Sequence, residues 1–282
     1  MGDGVDERGL AGQVAIVTGA SRGLGRYFAT DLAQRGAALV ITGRTMADLA
    51  VTAAHVEAHG GDCVVVEGDV CDESLAERSV RAGRSLGRLA ILVNNAGIAD
   101  GAPFGQLPWE QWWHVYEVNV KATAVWSAAV LPSMVAAGGG RVINVSSGAS
   151  RAPVPYYSAY GSSKAAISQL TKCLAVEFEH AGVKLFAFGP RAHTDMARHT
   201  YSNPAFAPAL RASLQAGFEA DPDGELTRTL ELFGLLTTGA ADHLSGEYLG
   251  DQAGSTFDDA ASVASRTRDT LSVALARLIA PE

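Results

Sequence analysis

Short apolar, β-branched runs alternate along this chain with longer stretches in which apolar residues recur every three or four positions. The runs Val14–Thr18, Leu39–Thr42, Cys63–Glu67, Ile91–Asn94, Arg141–Ser146, Lys184–Phe188 and Glu247–Leu249 predict strands, since a strand covered on both faces reads as a nearly continuous apolar run. The stretches Arg22–Arg35, Met46–His59, Asp72–Leu86, Trp109–Val135, Tyr156–His180 and Gly224–Leu236 predict helices. Strict alternation of the two kinds predicts an α/β fold with a parallel sheet and right-handed crossovers. Ligands of such sheets bind beyond the carboxyl ends of the strands. No internal repeat or low-complexity tract interrupts the pattern.

The residues with chemical potential cluster at those strand ends. The first strand runs into Thr18-Gly-Ala-Ser-Arg-Gly-Leu-Gly25 and then a helix. Glycines at 19, 23 and 25 let backbone N–H groups approach a pyrophosphate at a helix N-terminus, although an ordinary glycine turn reads the same way. Asn94-Asn95-Ala96-Gly97 ends the fourth strand, where a polar pair with glycine also suits a plain turn. Tyr160 and Lys164 lie four apart in Tyr160-Gly-Ser-Ser-Lys164, on one face of a helix. A cation roughly 5 Å from a phenol favours phenolate by about 3 kcal/mol at an effective dielectric near 20, about two pKa units. The pair is therefore a candidate proton-transfer device, while a solvated helix face carries such pairs by chance.

Taken together, these motifs and their order resemble the short-chain dehydrogenase/reductase family over most of the chain. Thr18–Gly25 matches its cofactor loop, and Asn119, Ser147, Tyr160 and Lys164 match its catalytic set in order and spacing. The resemblance implies a single domain with a Rossmann-like doubly wound parallel sheet over residues 9–282, after a tail at 1–8. It implies hydride transfer between nicotinamide and a carbonyl or secondary alcohol, with Tyr160 as proton donor or acceptor. Lys164 would lower the Tyr160 pKa and hold the nicotinamide ribose, and Asn119, in mid-helix among apolar neighbours, would order a relay water. The Ser147 hydroxyl would bond the substrate carbonyl oxygen; Ser146 competes by adjacency, and the 13-residue spacing to Tyr160 favours Ser147. The cofactor would touch Gly19, Ser21, Arg22, Gly23, Leu24, Gly25, Asn95, Ala96, Gly97, Tyr160 and Lys164. Asp69 and Val70, closing the third strand, would line the adenine, with a strand-end cap the competing role for Asp69.

Cofactor choice turns on the end of the second strand. NAD-binding relatives of this architecture place an acid there for the ribose 2′-OH, whereas this chain has Gly43 followed by Arg44. Arg44 and Arg22 suit a 2′-phosphate through charge-assisted bonds, so NADP(H) is expected over NAD(H). One segment departs from the family pattern. In Gly189-Pro-Arg-Ala-His-Thr194 the glycine expected after Pro190 is Arg191, and the stretch to Thr194 is one residue short. Pro190 and Thr194 would keep a cofactor role, and Arg191 and His193 become candidates for an anionic or polar substrate. Residues 191–223, read as irregular after Met196 and containing Tyr201 and Phe206, form the expected lid, with Tyr157 a further wall of the pocket. A dehydratase, epimerase, cyclase or nucleotide-sensing role on the same fold is the alternative that the Arg191 departure favours.

Composition narrows the remaining classes. The 282 residues are 48% hydrophobic and 18% charged, with net charge −8, a balance against a nucleic-acid surface. Cys63, Cys71 and Cys173 lack C-x-x-C spacing and read as reduced thiols. The scattered histidines offer no zinc motif, neither serine sits in a G-x-S-x-G elbow, and no purely apolar run approaches 18 residues. A soluble, cytoplasmic enzyme acting on a small molecule without metal is expected. Leu271, Leu275 and Leu278 in the 251–282 extension fit core packing or a subunit contact, and the family resemblance implies a homodimer or homotetramer.

Overall fold

The computed structural model describes residues 9–206 and 208–250; the N-terminal tail and the 251–282 extension lie outside them. Seven parallel strands form one sheet in the order β3-β2-β1-β4-β5-β6-β7. They are β1 (Gln13–Val17), β2 (Ala38–Gly43), β3 (Cys63–Glu67), β4 (Arg88–Asn94), β5 (Gly140–Val145), β6 (Val183–Gly189) and β7 (Tyr248–Gly250). Each expected strand is present, shifted at its ends by at most three residues. The chain reverses its direction of winding between β1 and β4, which opens a crevice at the carboxyl ends of those strands.

Side-chain alternation explains the two layers of core. Along β1, Ala15 and Val17 point to one face and Val14 and Ile16 to the other. On the first face they meet α1 (Gly23–Gln34), α2 (Met46–Ala58) and α9 (Pro222–Thr238); on the second they meet α3 (Glu73–Leu86), α5 (Ala122–Ala136) and α6 (Ser158–Glu177). Fully buried Phe28 of α1 stacks on Phe233 of α9 at 4.3 Å and lies 5.9 Å from Phe188 of β6. That aromatic trio fastens α9 to the sheet.

Two sequence expectations are corrected. The helix expected over Trp109–Val135 is α4 (Trp109–Tyr116) and α5 joined by a π-helical turn, Glu117–Lys121. Periodicity in a sequence does not reveal one extra residue in a turn, and such turns often mark functional sites. By length and composition the 28 residues Trp109–Ala136 suffice to cross a bilayer, yet half of the apolar window is buried in the fold, as in a core helix. The stretch read as irregular contains α7 (Asp195–Ser202) and α8 (Pro208–Glu219). Its prolines misled: Pro204 lies between the helices, while Pro208 and Pro222 open α8 and α9, where a missing N–H costs nothing.

Replacing Phe233 with alanine empties a closed aromatic site and should cost about 3–5 kcal/mol of stability. Urea unfolding of the variant should show a lower midpoint at unchanged slope.

Candidate functional site

The carboxyl ends of β1, β4, β5 and β6 carry the candidate residues. At β1 the chain turns so tightly that a Cβ on Gly25 would fall 2.3 Å from the Gly19 carbonyl oxygen, and one on Gly19 2.8 Å from Ala96 Cα. This loop is bound to the end of β4. Thr18 Oγ1 accepts from the Asn95 and Ala96 N–H groups at 3.0 Å each, and the Asn95 amide donates to Thr18 O and Gly19 O at 2.9 and 3.1 Å. Asn94 faces the interior, donating to Asn144 Oδ1 of β5 at 2.8 Å. Helix α1 begins after Arg22 with no side-chain cap and no acid in its first turn. Its free N–H groups, the glycine cradle and the helix dipole suit a pyrophosphate. Leu24, in the first turn of α1, packs against the core with its side chain half-buried.

At the end of β2 the structure bears directly on the missing acid. A Cβ on Gly43 would lie 2.2 Å from Ser21 Oγ, so a longer side chain there requires the Ser21 hydroxyl to turn away. Arg44 is exposed, and exposed Arg22 reaches Asp195 at 3.4 Å across the cleft. Two charged groups escaped the sequence reading. Arg26 holds the loop by donating to Ser21 O at 2.5 Å and to Thr52 Oγ1 at 3.0 Å. Glu67 accepts the Met46 N–H at 2.8 Å and so caps α2. Neither has a local sequence signal, because both act on residues 5 to 26 positions away. Asp69 accepts the Cys71 N–H at 2.8 Å, a turn-capping bond at the strand end, and the Val70 carbonyl accepts from the Trp126 indole at 3.0 Å.

The four residues of the catalytic set converge. Lys164 is buried, and its ammonium donates to Val145 O at 2.8 Å while lying 5.6 Å from the Tyr160 ring centre. Asn119 sits in the π-turn, fully buried. It accepts from Ile98 N–H at 2.9 Å and donates to Ile98 O at 3.0 Å and Ser163 Oγ at 2.9 Å, so both amide hydrogens are used within the protein. Gly97 is tucked beside it, where a Cβ would meet Asn119 Oδ1 at 3.2 Å and Lys164 Nζ at 3.5 Å. The two serines separate cleanly. Ser146 turns into the protein, against Lys164 O and Ser168 Oγ, while Ser147 sits beside the Tyr160 hydroxyl, its Oγ accepting the Ala149 N–H at 3.2 Å.

The electrostatics reverse one sequence expectation. Burial pushes the Tyr160 phenol above its ordinary value, and the Ser147 hydrogen bond only partly offsets this. Desolvation of the phenolate here outweighs the pull of a cation one turn away. Burial also pulls the Lys164 ammonium from 10.5 down to about 8.

Arg191, the departure from the family pattern, is absorbed by α9. Its guanidinium pairs with nearly buried Glu225 at 2.8 Å. Its backbone N–H donates to Thr229 Oγ1 at 3.1 Å, and that hydroxyl donates to its carbonyl at 2.7 Å. His193 bonds the Tyr201 hydroxyl at 2.8 Å. Half-buried Pro190 closes β6, and Thr194 caps α7 by accepting from Ala197 N–H, with its methyl 3.8 Å from the point a Cβ on Gly23 would take. Tyr157 is buried against Tyr160, their rings perpendicular at 5.9 Å.

Comparison with known proteins agrees with this geometry. The family model for short chain dehydrogenase matches residues 13–205. A short chain dehydrogenase of Pseudocercospora fijiensis is 41% identical over 184 residues, 64% of this chain; the match spans 60% of that relative's length. The rhamnolipids biosynthesis 3-oxoacyl-[acyl-carrier-protein] reductase of Pseudomonas aeruginosa is 38% identical over 82% of this chain and 92% of its own. Among solved structures, a gluconate 5-dehydrogenase from Burkholderia cenocepacia in complex with NADP and tartrate superposes with a TM-score of 0.76 at 28% identity, covering 88% of this chain and 97% of that one.

The depressed Lys164 value has a thermodynamic consequence. Between about pH 8 and 10.5 the unfolded chain holds this proton more tightly than the folded one, so the penalty for burying the ammonium is complete below pH 8 and relieved as pH rises. Unfolding in urea at pH 7 and pH 10.5 should show the wild type gaining about 3 kcal/mol relative to Lys164→Met; an unchanged difference would contradict the buried-lysine assignment.

Proposed function

Because the chain belongs to the short-chain dehydrogenase/reductase family, we propose that it is an NADP(H)-dependent oxidoreductase of ketoreductase type acting on a small carbonyl or secondary-alcohol substrate. The observation that carries this reading is the Tyr160 ring with the ammonium of buried Lys164, one turn away, 5.6 Å from its centre and Ser147 beside its hydroxyl. The nicotinamide, when bound, supplies or accepts the hydride. Tyr160 holds the proton at its phenol oxygen and delivers it to the nascent alkoxide; the burial that raises its pKa favours that protonated form near neutrality. Ser147 Oγ donates a second hydrogen bond to the same oxygen. Lys164, still largely an ammonium at pH 7 with a value of about 8, restores charge balance when Tyr160 has given up its proton. Asn119 acts by clamping Ile98 and so holding the Gly97 segment under the site.

The glycine cradle and the uncapped start of α1 fit a dinucleotide pyrophosphate, with Thr194 on the facing loop. Preference for the phosphorylated cofactor is supported by Gly43, which puts no acid at the end of β2, and by exposed Arg22 and Arg44. A structural neighbour crystallised with NADP points the same way. Arg191 no longer favours a non-redox role, since its partners on α9 account for it. A cytoplasmic homodimer or homotetramer completes the proposal on the family's habit and the composition.

Titration of the protein with NADPH and NADH, followed by nicotinamide fluorescence, should show the tighter binding for NADPH. Arg22→Ala and Arg44→Ala should each weaken NADPH about tenfold, the loss of one charge-assisted bond, and leave NADH within about twofold; a preference for NADH would overturn the cofactor assignment. Tyr160→Phe should lower carbonyl reduction by roughly a thousandfold with NADPH binding retained, and undiminished turnover would remove Tyr160 as the proton donor.

A further inference from the structure

The lid is clasped to the site by aromatic rings. Phe206, just beyond α7, is 2% exposed. Its ring stacks on Tyr156 at 5.7 Å and tilts against Tyr157 at 5.3 Å, and Tyr157 stands edge-on to Tyr160. Ala99 and Val154 complete the wall. Asn203 ties the segment down by donating to Gly101 O at 2.8 Å, and Gly101 itself leaves no space, since a Cβ there would lie 2.4 Å from the Tyr157 ring.

The backbone beside this slot marks it as more than packing. Tyr156 is the one non-glycine among the described residues with a left-handed backbone, φ 70°. A bulky aromatic is strained there, and such strain persists where surrounding structure enforces it, often at ligand sites. It directs the Tyr156 carbonyl to the Ala102 N–H at 3.0 Å and lays its ring over Phe206. Tyr157 is 3% exposed, yet its hydroxyl, beside Thr200 and Asn203, has no partner within hydrogen-bond geometry.

The basic groups around the site are engaged elsewhere: Arg191 by Glu225, His193 by Tyr201, and Arg151 over the Tyr248 ring at 5.3 Å. An anionic substrate therefore finds no free cation among these three. We propose that the substrate is an uncharged carbonyl compound, or its alcohol, bearing an aromatic ring, and that Phe206 holds the place this ring takes between Tyr156 and Tyr157. The proposal rests on the oxidoreductase reading above for the fate of the carbonyl, and on the slot alone for the ring.

The test pairs acetophenone with its saturated counterpart, cyclohexyl methyl ketone, and with an anionic sugar acid, 5-ketogluconate. Reduction is read by NADPH consumption, and binding separately by calorimetry on the NADPH-saturated protein. Acetophenone should show at least about tenfold higher kcat/KM than the cyclohexyl ketone, the value of a well-placed ring contact. Phe206→Ala should tighten acetophenone binding about tenfold by removing the competing ring, and Phe206→Leu should do so less. Equal use of the two ketones with no effect of Phe206→Ala, or preference for 5-ketogluconate, would overturn the slot while leaving the oxidoreductase reading intact. Ring-selective binding that Phe206→Ala strengthens, with no NADPH consumed, would uphold the slot and overturn the redox reading.

Discussion

The hydrogen bonds between Thr18 and Asn95 are the constraint on which the rest of the site depends. Six bonds cross from the end of β1 to the end of β4 through these two residues, counting the Thr18 N–H and Oγ1, which both donate to Val93 O, at 3.0 and 3.3 Å. They hold the glycine turn against the Ala96 backbone, at a separation only a missing Cβ allows. Everything further out inherits that register. The N-terminus of α1 is aimed by it, and Gly97 is delivered beside Asn119 and Lys164. The clamp sits where the sheet reverses its winding, so the two halves of the fold are joined at the point where a ligand must lie.

Helix α9 performs the corresponding task for the loop after β6. Phe233 anchors it in the aromatic trio, and one and two turns earlier Thr229 and Glu225 hold the backbone and side chain of Arg191. A flexible glycine in this position would leave the loop free to adopt its geometry on binding. Arginine instead hands that geometry to a neighbouring helix, since Glu225 is nearly buried and an unpaired carboxylate there would be costly. The loop from Pro190 to Thr194 is thus pre-shaped before any cofactor arrives, which lowers the ordering cost of binding.

Burial sets the acid–base character of the centre. The phenol of Tyr160 goes up and the ammonium of Lys164 goes down, both because each charged form is removed from water. With its phenol held above the ordinary value, Tyr160 rests protonated near neutrality. Such a resting state is suited to giving a proton to a carbonyl oxygen.

Much of this was legible in the residues themselves. Strand and helix order, the glycine turn, Asn94–Gly97 and the Asn119, Ser147, Tyr160, Lys164 spacing all read from local pattern, because backbone geometry and one-turn neighbours are short-range properties. What stayed hidden depends on residues distant in the chain. The π-turn at Asn119 answers to Ile98, the choice of Ser147 over Ser146 answers to which face of β5 meets α6, and the roles of Arg26, Glu67 and Arg191 answer to partners on other elements. The direction of the Tyr160 shift likewise depends on how much protein covers it. The sequence by itself determined the parallel α/β layout and which groups are candidates to carry the chemistry. Only the tertiary structure decided which of them are desolvated, paired or left free, because burial and long-range pairing exist only once the chain has closed on itself.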